Sequence, residues 1–153
     1  MMKTILTYGT FDLFHVGHLN ILERLSAMGD RLIVGVSTDE FNELKGKESI
    51  FSYSERVRIV GALSCVDGVI PEESWDQKES DIKNYNVTML GMGDDWHGKF
   101  DYLLTLCEVF YLPRTVSVST TKLRSEISKI DQSKLKELRD GLNSLLQVAK
   151  ALG

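Results

Sequence analysis

Residues Arg31–Ser37 read RLIVGVS, an almost unbroken apolar run of strand length. A strand with one wet face alternates apolar and polar residues, whereas a run like this must be covered on both sides. Residues 4–8, 67–71, 87–92 and Glu108–Leu112 are four more short strand-like runs. Helical signals fall between them. Residues 16–28 place Leu19, Ile21, Leu22 and Leu25 at helical spacing and stop at Gly29-Asp30. Ser52 or Ser54 caps a helix to about Leu63, with Val57, Val60 and Leu63 on one side. Ser74 caps another through Asn84. A loop over 93–98 and a short helix over 100–106 precede the fifth strand. After it, Ser119 or Thr120 opens a helix, and a last one spans 133–152. This rhythm predicts an α/β chain: a Rossmann-like, doubly wound, five-stranded parallel sheet with helices on both faces and a C-terminal helical extension. Ligands of such sheets bind beyond the carboxyl ends of the strands, where the strand order reverses, so the residues just after each strand are the informative ones.

The 153 residues suit one main domain, set at 1–130, with 131–153 as an amphipathic helix. A net charge of −4 argues against a surface that coats nucleic acid. The charge is uneven. Residues 1–64 hold 7 basic and 8 acidic groups, 65–108 hold 3 and 10, and 109–153 hold 8 and 4. Cys65 and Cys107 lie far apart, without metal or redox spacing, and read as thiols of a reducing cytoplasm. The first residues lack the apolar core of a signal peptide, and no run approaches a membrane span. The expected location is cytoplasmic.

Two of the three histidines sit together, in the loop Gly9-Thr10-Phe11-Asp12-Leu13-Phe14-His15-Val16-Gly17-His18 after the first strand. This is neither a dinucleotide fingerprint nor a P-loop. Gly9 lets a ligand approach the backbone, and Gly17-His18 opens a helix whose free N–H groups favour phosphate. His15 and His18, three apart around that start, suit donation to the same phosphate. Zinc would need a third ligand, which His97 beside Asp94 and Asp95 supplies only from another loop. Two purely structural histidines are the other alternative.

Gly9-Thr10-Phe11-Asp12 with His15-Val16-Gly17-His18 resembles the GTFD and HxGH signature of the cytidylyltransferase branch of the nucleotidylyltransferase superfamily. Arg114-Thr115-Val116-Ser117-Val118-Ser119-Thr120-Thr121 is similar to that branch's RTxGIST motif. STDEF, VIPE, MGDDW, GKFD and YLPRT, within residues 37–115, are similar to the bacterial glycerol-3-phosphate cytidylyltransferases in particular. The likeness runs from about residue 3 to 127. It implies that CTP and glycerol 3-phosphate give CDP-glycerol and pyrophosphate, for a surface polymer such as teichoic acid or capsule. It also implies a homodimer; the net charge and the lack of a membrane-length apolar run add the expectation of no nucleic-acid partner and no membrane insertion.

The resemblance implies the following roles. His15, His18, Lys45, Lys47 and Arg114 are the catalytic set, neutralising phosphate charge around the α-phosphorus. Gly9, Thr10, Phe11, Asp95, Thr115, Ser119 and Thr120 bind CTP. Asp12, Asp39, Arg56 and Lys78 serve the second substrate, with Asp12 also suited to orienting the loop or helping hold an ion. Magnesium arrives with the triphosphate, and no protein metal ligand is assigned. A phosphate oxygen is already ionised at pH 7, so no general base is needed, and catalysis reduces to positioning and charge neutralisation. From the residues themselves, Lys45-Gly46-Lys47 reads as a solvated surface loop; the resemblance reverses that reading, and the loop is also a candidate lid. Arg58 reads as a surface residue. Ser119 and Thr120 open a helix that offers a second anion site.

Ser64 stands where the family has an arginine, and Ser117 where RTxGIST has glycine. Another phospho-alcohol, ATP in place of CTP, and a non-catalytic nucleotide-binding protein therefore stay open. Beyond residue 130, Leu135, Leu138, Leu142, Leu145, Ala149 and Leu152 recur at 3-4 spacing, a short coiled-coil-like seam weakened by Gly141. It reads either as dimer-reinforcing or as packed on its own domain.

Overall fold

The structure, a computed structural model, describes residues 1–114 and 119–153. Two compact units result, Met1–Val118 and Ser119–Gly153. In the first, strands β1 (Thr4–Gly9), β2 (Arg31–Ser37), β3 (Gly68–Glu72), β4 (Val87–Gly93) and β5 (Glu108–Leu112) form a parallel sheet in the order β3-β2-β1-β4-β5. Helices α1 (Val16–Ser26), α2 (Asp39–Leu44), α3 (Tyr53–Gly61) and α4 (Gln77–Asn84) connect the strands. Short 3-10 turns, Asp94–Trp96 and Asp101–Thr105, link β4 to β5. The order reverses between β1 and β4, so the crevice expected to receive ligand lies beyond Gly9 and Gly93.

The apolar run at β2 is buried on both faces, as its sequence demands. Leu32, Val34 and Val36 join Ile5, Leu22, Leu25, Val60 and Met89 in one cluster. Ile33 joins Leu6, Ile70, Ile82, Leu90 and Leu103 in the other. The second cluster extends to Tyr8 and Phe100, whose rings wall the buried Lys78.

Three local expectations change. The short α2 follows β2 directly because Thr38 caps it: its hydroxyl accepts the Phe41 N–H, an N-cap the strand signal concealed. Ser74 is not the cap of α4. The Gln77 side chain folds back instead, accepting the backbone N–H groups of Glu73 and Ser74. The separate helix over 133–152 is absent. The second unit is one helix, α5 (Thr120–Leu152), which passes residue 130 without a break, since no Gly or Pro interrupts 120–140 and Ser133 alone does not stop a helix. Among the described residues no helix is long and apolar enough to cross a membrane.

Gly91 sets how closely α1 lies on the sheet. A Cβ there would stand 2.2 Å from Leu25 Cδ2. Gly91→Ala is therefore expected to push α1 off β4 and to destabilise the chain by about 1–3 kcal/mol, the usual cost of overpacking. A urea melt that leaves the midpoint unchanged would refute this tight contact.

Candidate active site

The loop after β1 is built by strain and by reciprocal capping. Phe11 and Leu13 have φ of 53° and 47°, a backbone region that residues with side chains rarely occupy. Phe11 turns its ring back over Gly9, where a Cβ would meet Phe11 Cε2 at 2.8 Å. Gly9 thus makes room for Phe11, a use of the missing side chain that the motif alone does not reveal. His15 is the N-cap of α1. Its Nδ1 accepts the Gly17 N–H at 3.0 Å, and His18 Nδ1 accepts the His15 N–H at 3.2 Å. The rings stack, centroids 4.0 Å apart, and Phe11 and Phe14 pack on His18.

This arrangement assigns the tautomer. Each Nδ1 accepts, so each neutral imidazole carries its proton on Nε2. His15 Nε2 is enclosed and has no hydrogen-bond partner among the described residues. A buried donor of this kind calls for an acceptor. Burial lowers the pKa of His15, and burial, with the neighbouring His15, pushes His18 down to about 4. Both are therefore neutral N–H donors at pH 7.

The Lys45-Gly46-Lys47 segment is the C-terminal turn of α2. Gly46 has φ 70°, and the Lys47 N–H returns to the Asn42 carbonyl at 2.9 Å. Asn42 also accepts the Thr10 hydroxyl at 3.1 Å, which ties the turn to the loop after β1. Lys45 reaches inward: its Nζ donates to Ser37 Oγ at 3.0 Å and lies 4.4 Å from the Phe41 ring centroid. Burial first, then the charges of Lys47, Lys78 and Arg56, pushes its pKa down to about 8, while Glu72 acts in the opposite sense. Lys47 is exposed.

Arg56 is fully buried. Its Nη1 donates to the carbonyls of Thr10 and Ser37, both at 2.7 Å, its Nε to the Phe51 carbonyl, and its Nη2 to Asp39 Oδ1. Four of its five N–H groups are thereby committed to the protein. Asp39 accepts the Tyr53 N–H as well, and these bonds hold its carboxyl below the usual carboxylate range. Asp12 is buried, and its two oxygens accept the N–H groups of Ile50 and Phe51. Lys78 is buried against Glu72 at 2.8 Å, under the rings of Tyr8, Trp75 and Phe100. Of the four residues assigned to the second substrate, three are thus buried and engaged with the protein itself.

Arg114 and Asp95, at the ends of β5 and β4, form an ion pair, with side chains 64% and 52% exposed. Exposed pairs contribute little, so a phosphate competes readily for the guanidinium. In the second unit, Ser119 caps α5, accepting the Lys122 N–H at 3.0 Å, and Thr120 is its first residue. Thr115 and Ser117 lie outside the described residues. Arg58 is exposed, as expected, and Ser64 is exposed too. The His97 ring lies 5.0 Å from that of Tyr111. Among the described residues no three His, Cys, Asp or Glu side chains gather to hold a metal. Sequence reasoning gave no role to Ser37, Glu72, Asn42 or Trp75. Two of these stood inside STDEF and VIPE, stretches that marked the resemblance without revealing what each residue does.

The cytidylyltransferase-like family model matches residues 6–130. The chain belongs to the cytidylyltransferase-like family. Glycerol-3-phosphate cytidylyltransferase of Bacillus subtilis strain 168 is 53% identical over 127 residues, covering 83% of this chain and 98% of that one. The enzyme of the same name from Staphylococcus aureus is 49% identical over 126 residues, covering 82% and 96%. A solved structure, the lipopolysaccharide core biosynthesis protein of Thermoplasma volcanium, superposes with a TM-score of 0.64 at 23% identity over 74% of this chain and 98% of that one, a likeness of fold. These alignments leave α5 beyond residue 130 outside the family match.

The histidine assignment has a pH signature. Between the folded midpoint of about 4 and the ordinary 6.5, the unfolded chain binds more protons at His18 than the folded one. The His18 contribution to stability is complete above 6.5 and is lost as pH falls from 6.5 towards 4. Imidazole 15N NMR is expected to show an Nε2–H tautomer for His18 and a midpoint well below 6.5. A midpoint at or above that value would sink the assignment.

Proposed function

We propose that this chain transfers a cytidylyl group from CTP to glycerol 3-phosphate, giving CDP-glycerol and pyrophosphate for a surface polymer. The observation that carries the reading is the pair of neutral imidazoles at the α1 N-terminus, each with its proton on Nε2, one of them enclosed without an acceptor. The curated relatives named above supply the substrates. A phosphate oxygen of glycerol 3-phosphate bonds to the α-phosphorus of CTP, and the bond from that phosphorus to the pyrophosphate oxygen breaks. The nucleophile is already ionised and no proton moves. His15, His18 and the free N–H groups of α1 donate to the nucleotide phosphates. Lys45 receives the incoming phosphate, and Lys47 and Arg114 offset charge on the α-phosphate and the leaving group. Asp95, released by Arg114, faces the nucleoside.

Magnesium accompanies the triphosphate. The donors present suit an ion held by phosphate oxygens, since Asp12 spends both carboxylate oxygens on backbone N–H groups. The two unpaired cysteines support a cytoplasmic setting. The apolar residues of α5, from Leu135 to Leu152, are more than half exposed at every leucine, which supports a homodimer reinforced by that helix.

Pyrophosphate release, measured with each nucleoside triphosphate against a panel of phospho-alcohols, is expected to be greatest for CTP with glycerol 3-phosphate. Turnover with no pair rejects the reaction, and turnover with ATP but not CTP rejects the base. His18→Ala is expected to lower kcat by about 10²–10³, the loss typical of one transition-state donor. A near-wild-type rate would remove His18 from the mechanism. Deleting residues 131–153 keeps everything the family model matches. Light scattering should show the truncated chain dissociating at concentrations where the full chain is dimeric, and an unchanged dimer would exclude that role for the helix.

A further inference from the structure

The carboxyl ends of two neighbouring strands carry a hydrogen-bonded chain that the transfer chemistry does not yet use. Ser37 ends β2, Glu72 ends β3, and the two are register partners in the sheet. Both are buried, at 0% and 3% exposure. Ser37 Oγ donates to Glu72 Oε2 at 2.6 Å, and Glu72 Oε1 accepts from Lys78 Nζ at 2.8 Å. A serine hydroxyl has one proton, and here it is spent on the carboxylate. Lys45 Nζ, 3.0 Å from the same oxygen, is therefore the donor in that contact. The direction of every link is fixed: Lys45 to Ser37, Ser37 to Glu72, and Lys78 to Glu72 from the other side.

This chain answers a problem that Lys45 poses. An ammonium drawn inward against Phe41 and Trp75 loses hydration. The charged groups acting on it come from four elements: Lys47 in its own turn, Arg56 from α3, Lys78 from α4 and Glu72 from β3. The three cations disfavour the ammonium, and Glu72 alone favours it. The carboxylate reaches Lys45 through one hydroxyl, close enough to offset the cations without forming an ion pair that would occupy the ammonium. One N–H of Lys45 is used on Ser37, and two remain for a ligand.

We propose that Ser37 and Glu72 are positioning residues for Lys45, forming a hydroxyl–carboxylate relay that fixes where its ammonium sits and keeps it charged for the phosphate it receives. The phosphate in that statement rests on the proposed reaction; the relay itself does not. Neither residue touches substrate, and both act through the lysine.

The test is a titration of the ligand-free, full-length chain labelled with 13C at lysine Cε, with the Lys45 resonance assigned by its loss in Lys45→Arg. The wild-type midpoint is expected near 8. Ser37→Ala and Glu72→Gln are each expected to lower it by about half a unit or more, since each removes support for the charged form. The alkaline limb of kcat/KM for CTP and glycerol 3-phosphate should move with it. A purely structural role would lower stability and leave that limb in place. Glu72→Gln leaves Lys78 buried without its partner, so if it fails to fold, Ser37→Ala, which removes one oxygen, carries the test. A smaller shift of the Lys45 midpoint in folded Ser37→Ala overturns the proposal. Because the titration needs no substrate, absence of turnover would refute the reaction and leave the relay to be judged on the midpoint alone.

Discussion

The guanidinium of Arg56 is the tie on which the site depends. A charge this deeply buried is tolerable only when its donors are satisfied and a counter-charge stands nearby. Arg56 meets both conditions by gathering chain segments that would otherwise be independent. One nitrogen takes the carbonyls of Thr10 and Ser37, just past β1 and at the end of β2. A second takes the Phe51 carbonyl, ahead of α3, and a third takes Asp39 at the start of α2. Asp12 grips the same 50–51 segment from the other side through two backbone N–H groups. The turn carrying Lys45 and Lys47 is thus suspended between fixed points.

Two kinds of donor that the proposed reaction assigns to phosphate hang from this frame, and they differ in charge. His15 and His18 are held neutral by burial and by spending Nδ1 on backbone N–H groups, so they offer directed N–H donors without net charge. Lys45 offers charge, at the cost of lost hydration, with Glu72 as support. Neutral donors favour a particular oxygen position and lysine favours any anion, so the two together combine selectivity with charge neutralisation. The overall charge of −4 is no obstacle, because the acidic excess lies in 65–108 while these groups come from residues 15–47.

Much of this was legible in the sequence, for specific reasons. The inner strands β1, β2 and β4 were readable because burial on both faces leaves a nearly uninterrupted apolar signature. The edge strand β5, half exposed, was readable by its short apolar run closed by Pro113, and it and β2 fall at their expected limits. The placement of His15 and His18 at the start of α1 was readable because a glycine-flanked helix start follows the first strand. The partners that Arg56 and Asp12 find within the fold were not, since a residue type that binds phosphate or metal equally well binds backbone, and only the fold decides which backbone group is near. Ser37 and Glu72 lie 35 positions apart and meet only through strand register, a non-local pairing that neither local spacing nor motif records. Ser133 was misleading for the opposite reason: a good cap residue does not end a helix when the residues on both sides continue to favour it.

The ion pairs fall into an order that separates framework from site. Lys78 with Glu72 is enclosed, and Arg56 with Asp39 is enclosed on the arginine side. Breaking such a pair strands a buried charge, at a cost of about 3–5 kcal/mol, so these contacts act as framework in the ligand-free chain. Arg114 with Asp95 is exposed on both sides. Its exchange for a phosphate partner costs little, because solvent already screens the pair. At the carboxyl ends of β4 and β5 the exposed pair thus leaves both Arg114 and Asp95 open to exchange, as the proposed reaction requires. At β2 and β3 a ligand meets cations whose positions are already set. In the proposed reaction this ordering leaves the β4–β5 side to adapt to the nucleotide and the β2–β3 side to present Lys45 to the second phosphate.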